Sequence, residues 1–292
     1  MKRIQLKARA KINLSLDVLR RRPDGYHEVE MIMHQIDLFD RVQINEREDN
    51  KIVINTNCGY IPKDSDNIAY KAASLIGNTF NINKGLDIHI EKKIPVAAGL
   101  AGGSSNAAAV IIGLNRLWNL KLTVKEQMEL GVKIGADVPF CIAGGAALAE
   151  GIGERLTPIK GLKNLWLVIS KPSISVSTAD VYKSLSLPNI QDKRPDTQML
   201  LRAVECGDIN LLASNMKNVL ETVTEEKYPV ITKIKRKMME YNALGSIMTG
   251  SGPTVFGIFK NYHRAKSAYE HLSLLYKQTY IVQSFHRRND DE

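Results

Sequence analysis

The residue types that phosphate chemistry uses occur at three places in this sequence. The first is the run Pro95-Val96-Ala97-Ala98-Gly99-Leu100-Ala101-Gly102-Gly103-Ser104-Ser105, which leads through Asn106 into an apolar helical pattern. Gly99, Gly102 and Gly103 open backbone conformations closed to other residues, and Ser104, Ser105 and Asn106 place small polar groups where a helix should begin. Amide hydrogens without partners at such a start face an anion, and the helix dipole adds partial positive charge there, so a nucleotide triphosphate is the natural occupant. The second and third places are Lys11, a candidate cation, and Asp137 in Gly135-Ala136-Asp137-Val138-Pro139, a candidate carboxylate. Phosphoryl transfer needs a cradle, a cation against developing charge, and a group that orients the attacking hydroxyl.

Each feature also has a plainer reading. The loop lacks a following Gly-Lys-Ser/Thr and the dinucleotide glycine spacing, so it is neither of those two common motifs. A glycine-rich turn before a buried helix would look the same. Asp137 equally suits a helix start. A lysine opening a half-exposed strand is usually solvated. Tyr26 and His27 follow the turn Arg22-Pro23-Asp24-Gly25, where a ring can stack on a base or pack on the surface. Gly250-Ser251-Gly252 fits either a β-turn or a second glycine-rich wall around the same anion. His34, His89, His263, His271 and His286 show no metal-ligand clustering.

These residues must be positioned by a mixture of strands and helices. Ile12, Leu14, Leu16 and Val18 alternate with Asn13, Ser15 and Asp17, the period of a strand with one buried face, so Lys11 and Asn13 share the polar face. Further strands are expected at 31–37, 42–44, 52–54 and 86–90, and helices at 66–80 and 104–118. Thr123 and Glu126 form a capping box for a helix over 124–134, and an apolar strand region is expected at 140–149. A second domain is expected to open near the buried strand at 165–169. Helices around 196–219 and after Pro229 then lead to strands at 246–248 and 254–259, a last helix and a last strand.

The chain has 292 residues, 44% hydrophobic and 24% charged, the profile of a globular protein of about two domains. No apolar run reaches the ~18 residues of a membrane span, and the N-terminus lacks a signal-peptide core, so a cytoplasmic location is expected. Cys58, Cys141 and Cys206 are widely spaced and suit a reducing compartment. The net charge of +9 is concentrated in residues 1–22, a cluster that suits an anionic small molecule, nucleic acid or solvent, with no RNA-binding or zinc-finger motif beside it. A small-molecule substrate is expected rather than a nucleic acid or membrane partner, and nothing specifies an oligomeric state.

The segments AKINLSLDV, PVAAGLAGGSSNAAA and MTGSGPTVFGIF resemble, in order and spacing, the three motifs of the galactokinase, homoserine kinase, mevalonate kinase and phosphomevalonate kinase (GHMP) superfamily, over nearly the whole chain. RPDGYHEV, GLAGGSSNAAA, GADVPF and AEGIGE look most like its branch acting on 4-diphosphocytidyl-2-C-methyl-D-erythritol. The resemblance implies transfer of the γ-phosphate of ATP, with Mg2+, to the 2-hydroxyl of that cytidine diphosphate-linked methylerythritol, in non-mevalonate isoprenoid precursor biosynthesis. It implies a two-domain α+β GHMP kinase fold. Residues 1–160 would form an N-terminal domain with a left-handed β-α-β crossover, a rare exception to the right-handed rule, and 161–292 a C-terminal ferredoxin-like α/β sandwich.

By position, the resemblance makes Lys11 and Asp137 catalytic, with Lys11 keeping Asp137 ionised, and residues 95–105 the ATP phosphate loop with Asn67 near the adenine. Asn13 would place the reacting end of the substrate, and Tyr26, His27, Lys92 and Tyr182 would form the cytosine pocket. Ser104 or Ser105 is a possible magnesium ligand. Two residues depart from the family pattern: Ala101, where many members have glycine, and Tyr182, which replaces a phenylalanine and keeps the stacking surface.

Overall fold

A computed structural model describes residues 2–285, so His286 lies outside the described residues. The chain divides into two compact units that do not follow chain order. One takes in the chain up to Ala10 with Leu38–Val96 and Ala101–Gly144; the other takes in Lys11–Asp37, Ala97–Leu100 and the described chain from Gly145 onward. Two long strands, β1 (Arg3–Arg21) and β2 (His27–Arg47), supply residues to both.

In the first unit β3 (Ile52–Thr56) runs parallel to β4 (Gly85–Glu91), with Ile52 opposite Leu86, and α1 (Ile68–Thr79) connects them. This is the β-α-β unit for which the family resemblance implies a left-handed crossover. The C-terminal part of β2 pairs antiparallel with β4, Val42 opposite Ile90. Helix α2 (Gly102–Leu117) packs against α1 and α4 (Val138–Ala143), and α3 (Val124–Gly131) against α4. Small residues allow this close approach: a Cβ on Gly113 of α2 would lie 2.7 Å from Cδ1 of Ile44 in the sheet. The core between helices and sheet is built from Ile44, Ile54, Ile76, Ile88, Ile111 and Leu114, each fully buried or nearly so. Burying such a side chain contributes about 1.5–3 kcal/mol. The Thr123–Glu126 capping box forms with both its hydrogen bonds.

In the second unit the N-terminal part of β2 pairs with β5 (Ala146–Gly151), Met31 opposite Ala149, and β5 with β6 (Arg155–Pro158). A second sheet contains β7 (Trp166–Lys171), β8 (Gly245–Met248), β9 (Val255–Phe259) and β10 (Gln278–Gln283) in the order β10-β7-β9-β8, all antiparallel. With α9 (Val230–Glu240) packed on β8 and β9, and α10 (Tyr262–Leu275) on β7, β9 and β10, this is the ferredoxin-like arrangement. Between β7 and α9 lie α5 (Thr178–Ser184), α6 (Thr197–Cys206), α7 (Ile209–Asn215) and α8 (Glu221–Lys227).

Several elements differ from the expectations. The strands at 31–37 and 42–44 are one continuous β2, because Leu38, Asp40, Val42 and Ile44 keep one phase and all point inward. Residues 138–143 form α4, with Pro139 in its first turn, where a missing N–H costs nothing; the strand begins only at Ala146. Helix α3 stops at Gly131 rather than at 134. The helical region at 196–219 is split at Gly207, which ends α6 with φ 72°. Finally, β1 has both faces buried: Lys11, Asn13, Ser15 and Asp17 are at most 5% exposed, like the apolar residues between them. Among the described residues no helix is long and apolar enough to cross a membrane.

Candidate active site

Polar residues inside a protein need partners, and the inward polar row of β1 shows where they are. Lys11 donates from Nζ to Oδ1 of Asn13 at 2.7 Å. The same Oδ1 accepts from Thr249 Oγ1 at 3.2 Å and from the Gly250 amide at 3.1 Å, while the Asn13 amide donates to Thr249 Oγ1. Ser15 Oγ accepts from the Ile32 amide, and Asp17 is paired with Arg194 at 2.6 Å. The upper end of the row, Lys11 and Asn13, is thus tied to the glycine-rich segment between β8 and β9. That segment contains the cis Gly252–Pro253 peptide bond.

The glycine-serine loop has a regular backbone. Ala97, Gly99 and Ala101 have φ of 50°, 70° and 54°, so left-handed residues stand at alternate positions. Left-handed residues of this kind are a part of the anion-binding concavities that successive N–H groups form. The backbone also corrects the reason given for two glycines. Gly102 and Gly103 are not left-handed; they are small because a Cβ would meet Ile94 Cγ2 and Ile68 Cδ1 respectively, each at 3.0 Å. The positions that do need the left-handed region are Gly99 and two alanines, and Ala101 is the N-cap of α2, which therefore begins two residues before Ser104 and has no side-chain cap. Its first amides have no partner within the helix.

The two glycine-rich segments touch. A Cβ on Gly99 would lie 2.2 Å from the Thr249 carbonyl oxygen, and one on Gly250 3.2 Å from the Gly99 Cα. The Thr249 hydroxyl shares its one proton between Asn13 Oδ1 and the Gly99 carbonyl, each at 3.2 Å, and the Lys11 amide donates to the Leu100 carbonyl at 3.2 Å. The structure therefore brings together Lys11, Asn13, Gly99, Leu100, Thr249 and Gly250.

The two serines differ. Ser105 donates to the Arg9 and Ala101 carbonyls at 2.6 and 3.0 Å and lies 3.3 Å from Cys141 Sγ, so its hydroxyl is engaged by the fold. Ser104 makes no hydrogen bond through its side chain among the described residues. Asp137 precedes α4 at its N-cap position, yet its side chain makes no capping hydrogen bond, so the plainer reading of this residue as a cap does not hold.

The Lys92 side chain is 6% exposed and paired with Asp40, and it donates to Asn106 Oδ1 at 3.2 Å. Asp40 is fully buried and accepts from the Lys93 and Ile94 amides at 2.7 and 2.8 Å, from Asn106 Nδ2 at 2.9 Å and from Lys92. This carboxylate fixes the entry to the loop and the first turns of α2, and the sequence reading missed it. Its signal was present: Asp40 occupies the apolar phase of β2, where only a fully partnered carboxylate is tolerated.

Asn67 caps α1, accepting from the Ala69 amide at 2.9 Å and donating to the Pro62 carbonyl at 2.7 Å. In the second unit His27 and Tyr182 come together, with ring centroids 5.0 Å apart and planes tilted by 40°. Burial, with Arg21 nearby, holds the His27 pKa below its ordinary value, so the ring is neutral at pH 7. Tyr26 is 59% exposed, its amide tied to Asp24 Oδ1 at 3.1 Å. The three cysteines are free thiols.

The whole chain is 64% identical to a 4-diphosphocytidyl-2-C-methyl-D-erythritol kinase of Alkaliphilus metalliredigens, covering 100% of both chains. The chain belongs to the 4-diphosphocytidyl-2-C-methyl-D-erythritol kinase family. A member from Alkaliphilus oremlandii is 66% identical over 98% of each chain. A crystal structure of a 4-(cytidine 5'-diphospho)-2C-methyl-D-erythritol kinase superposes with a TM-score of 0.82 at 30% identity, covering 97% of this chain and 100% of that one. The GHMP kinases N terminal domain matches residues 67–145 and the GHMP kinases C terminal domain residues 200–278. As a member of this family the protein is a kinase, a phosphotransferase with an alcohol acceptor, and it takes ATP and a small-molecule substrate.

Proposed function

We propose that the protein transfers the γ-phosphate of ATP to the 2-hydroxyl of 4-diphosphocytidyl-2-C-methyl-D-erythritol in non-mevalonate isoprenoid precursor biosynthesis, in the cytoplasm. The observation that carries this reading is the identity of 64% along the entire chain to a relative whose name states that substrate. The His27–Tyr182 ring pair supports it, because a tilted aromatic pair beside an exposed Tyr26 offers a stacking surface for a pyrimidine.

In this reading residues 1–160 are the N-terminal kinase domain and 161–292 the C-terminal one. Residues 95–105 hold the phosphates through backbone amides, with Asn67 toward the adenine. Asp137 orients the acceptor hydroxyl or takes its proton, and Lys11 is the cation that offsets developing charge. Asn13 places the reacting end, and Tyr26, His27, Tyr182 and Lys92 serve the cytosine side. Magnesium in kinase sites is held mainly by phosphate oxygens and water with one or two protein oxygens, and it neutralises charge on the transferred group. Among the described residues no group of three or more His, Cys, Asp or Glu forms an all-protein cage, and the Ser104 hydroxyl fits as a single protein oxygen.

The test is ADP release by the purified protein with ATP and magnesium, with 4-diphosphocytidyl-2-C-methyl-D-erythritol in one arm and 2-C-methyl-D-erythritol in the other. Turnover in the first arm alone supports the reading. Folded protein that binds ATP but is inactive in both arms refutes it.

A further inference from the structure

Asn218, between α7 and α8, is 4% exposed, and nothing in the motifs points to it. Its Nδ2 donates at 2.8 Å to the Met248 carbonyl and at 2.8 Å to the Gly250 carbonyl, and its Oδ1 accepts from the Leu220 amide at 3.0 Å. Its neighbours anchor it to β1: the Leu16 amide donates to the Lys217 carbonyl and the Val219 amide to the Leu16 carbonyl, each at 3.0 Å. The same short segment holds the glycine-rich turn at two further points. Glu221 Oε1 accepts from the Met248 amide at 2.7 Å, and Thr224 Oγ1 donates to the Ser251 carbonyl at 3.3 Å.

Gly250 is consequently gripped from two sides. Its N–H is bound to Asn13 on β1 and its C=O to Asn218, with φ held at 59°, and in that setting its backbone lies against Gly99. A residue held by both its donor and its acceptor cannot rotate either adjoining peptide plane without breaking a buried hydrogen bond. Gly99 is one of the left-handed residues of the loop. Its own carbonyl is bound by Thr249, the residue before Gly250.

We infer that Asn218 is a positioning residue for the phosphate-binding loop: it clamps Gly250, and through Gly250 it sets where Gly99 and its neighbouring amides stand. This rests on residues 95–105 being the cradle for the phosphates of ATP. Losing the clamp weakens the nucleotide side and leaves the cytosine side, around His27 and Tyr182, untouched.

The experiment uses the full chain with two substitutions. Asn218→Asp keeps the acceptor for Leu220 and replaces the donor by an oxygen facing two carbonyls; Asn218→Ser keeps a shorter donor. The expected result is a KM for ATP raised about tenfold or more in Asn218→Asp and less in Asn218→Ser, with the KM for 4-diphosphocytidyl-2-C-methyl-D-erythritol within about twofold of the unmutated enzyme. Calorimetric titration with the non-hydrolysable analogue AMP-PNP should show the same loss, and it reads the clamp even if the acceptor is a different alcohol. Equal rises in both KM values, or unchanged nucleotide affinity in folded Asn218→Asp protein, overturn the inference. A measurement on the unmutated protein covers the case in which neither variant folds. AMP-PNP must slow amide exchange in residues 216–224 together with 248–252, and exchange there that ignores the nucleotide rejects the clamp.

Discussion

The Thr249 carbonyl oxygen lies 2.2 Å from the point a Cβ on Gly99 would occupy. Two segments 150 residues apart in the chain touch backbone to backbone at that point. Gly99→Ala must therefore push them apart, and it also places a side chain at φ 70°. We expect the variant to fold with a loss of about 1–3 kcal/mol. Its kcat/KM for ATP should fall at least ~tenfold. Paired denaturation and steady-state kinetics check this; wild-type kinetics would mean that the contact is unrelated to nucleotide binding.

Ala101 gives the opposite expectation. It sits at φ 54°, ψ 30°, a region that costs a residue with a Cβ about 1 kcal/mol or more. Ala101→Gly removes the strain, partly offset by the greater freedom of glycine in the unfolded chain, so stability should rise by up to about 1 kcal/mol without loss of turnover. A lower melting temperature than that of the parent protein would contradict the strain argument.

Asp137 makes no capping hydrogen bond to α4, so replacing it leaves the start of that helix intact. Asp137→Asn should reduce kcat by ~10³-fold or more while shifting the melting temperature by no more than a few degrees. Binding of AMP-PNP should survive. If kcat drops less than about tenfold, the orienting carboxylate is another residue.

Asp40 is the reverse case, a fully buried carboxylate with four donors and no place in the chemistry. Asp40→Asn leaves the Lys92 ammonium buried without its counter-charge and turns an amide toward donors. A loss of about 3–5 kcal/mol is expected, readable as a shifted urea midpoint. A variant as stable as the parent would show that Lys92 finds another partner.

His27 supplies a pH dependence. Burial and Arg21 place its folded pKa below 6.5, so the unfolded chain takes up the proton first as pH falls. The contribution of the neutral ring is therefore complete above 6.5 and lost as pH drops through the lower folded value. The KM for the cytidylated substrate should be flat near neutrality and rise on acidification, and His27→Gln should flatten that rise. Titrating KM from about pH 7.5 to about pH 5 decides it; an equally steep rise in His27→Gln would assign it to another group.

Much of this was legible from the sequence because it depends on short-range patterns. The Thr123–Glu126 box, a helix within 66–80 and the β9 strand follow from local hydrogen bonding and periodicity, and the three motifs carried the family. Long-range partnerships were not legible. The polar phase of β1 alternates as an exposed face would, and only its partners, Thr249 and Gly250 for Asn13 and Arg194 for Asp17, show that it is internal.

The sequence by itself determined the family, the class of reaction and where the loop and its helix lie, because glycine, serine and apolar spacing act over a few residues. Tertiary structure alone decided what each polar side chain does. Asp40 became a buried anchor, Ser105 a structural donor, and Asn218 a clamp on Gly250. The physical reason is that a buried polar group is defined by its partner, and Asp40, Ser105 and Asn218 each have a partner tens of residues away in the chain.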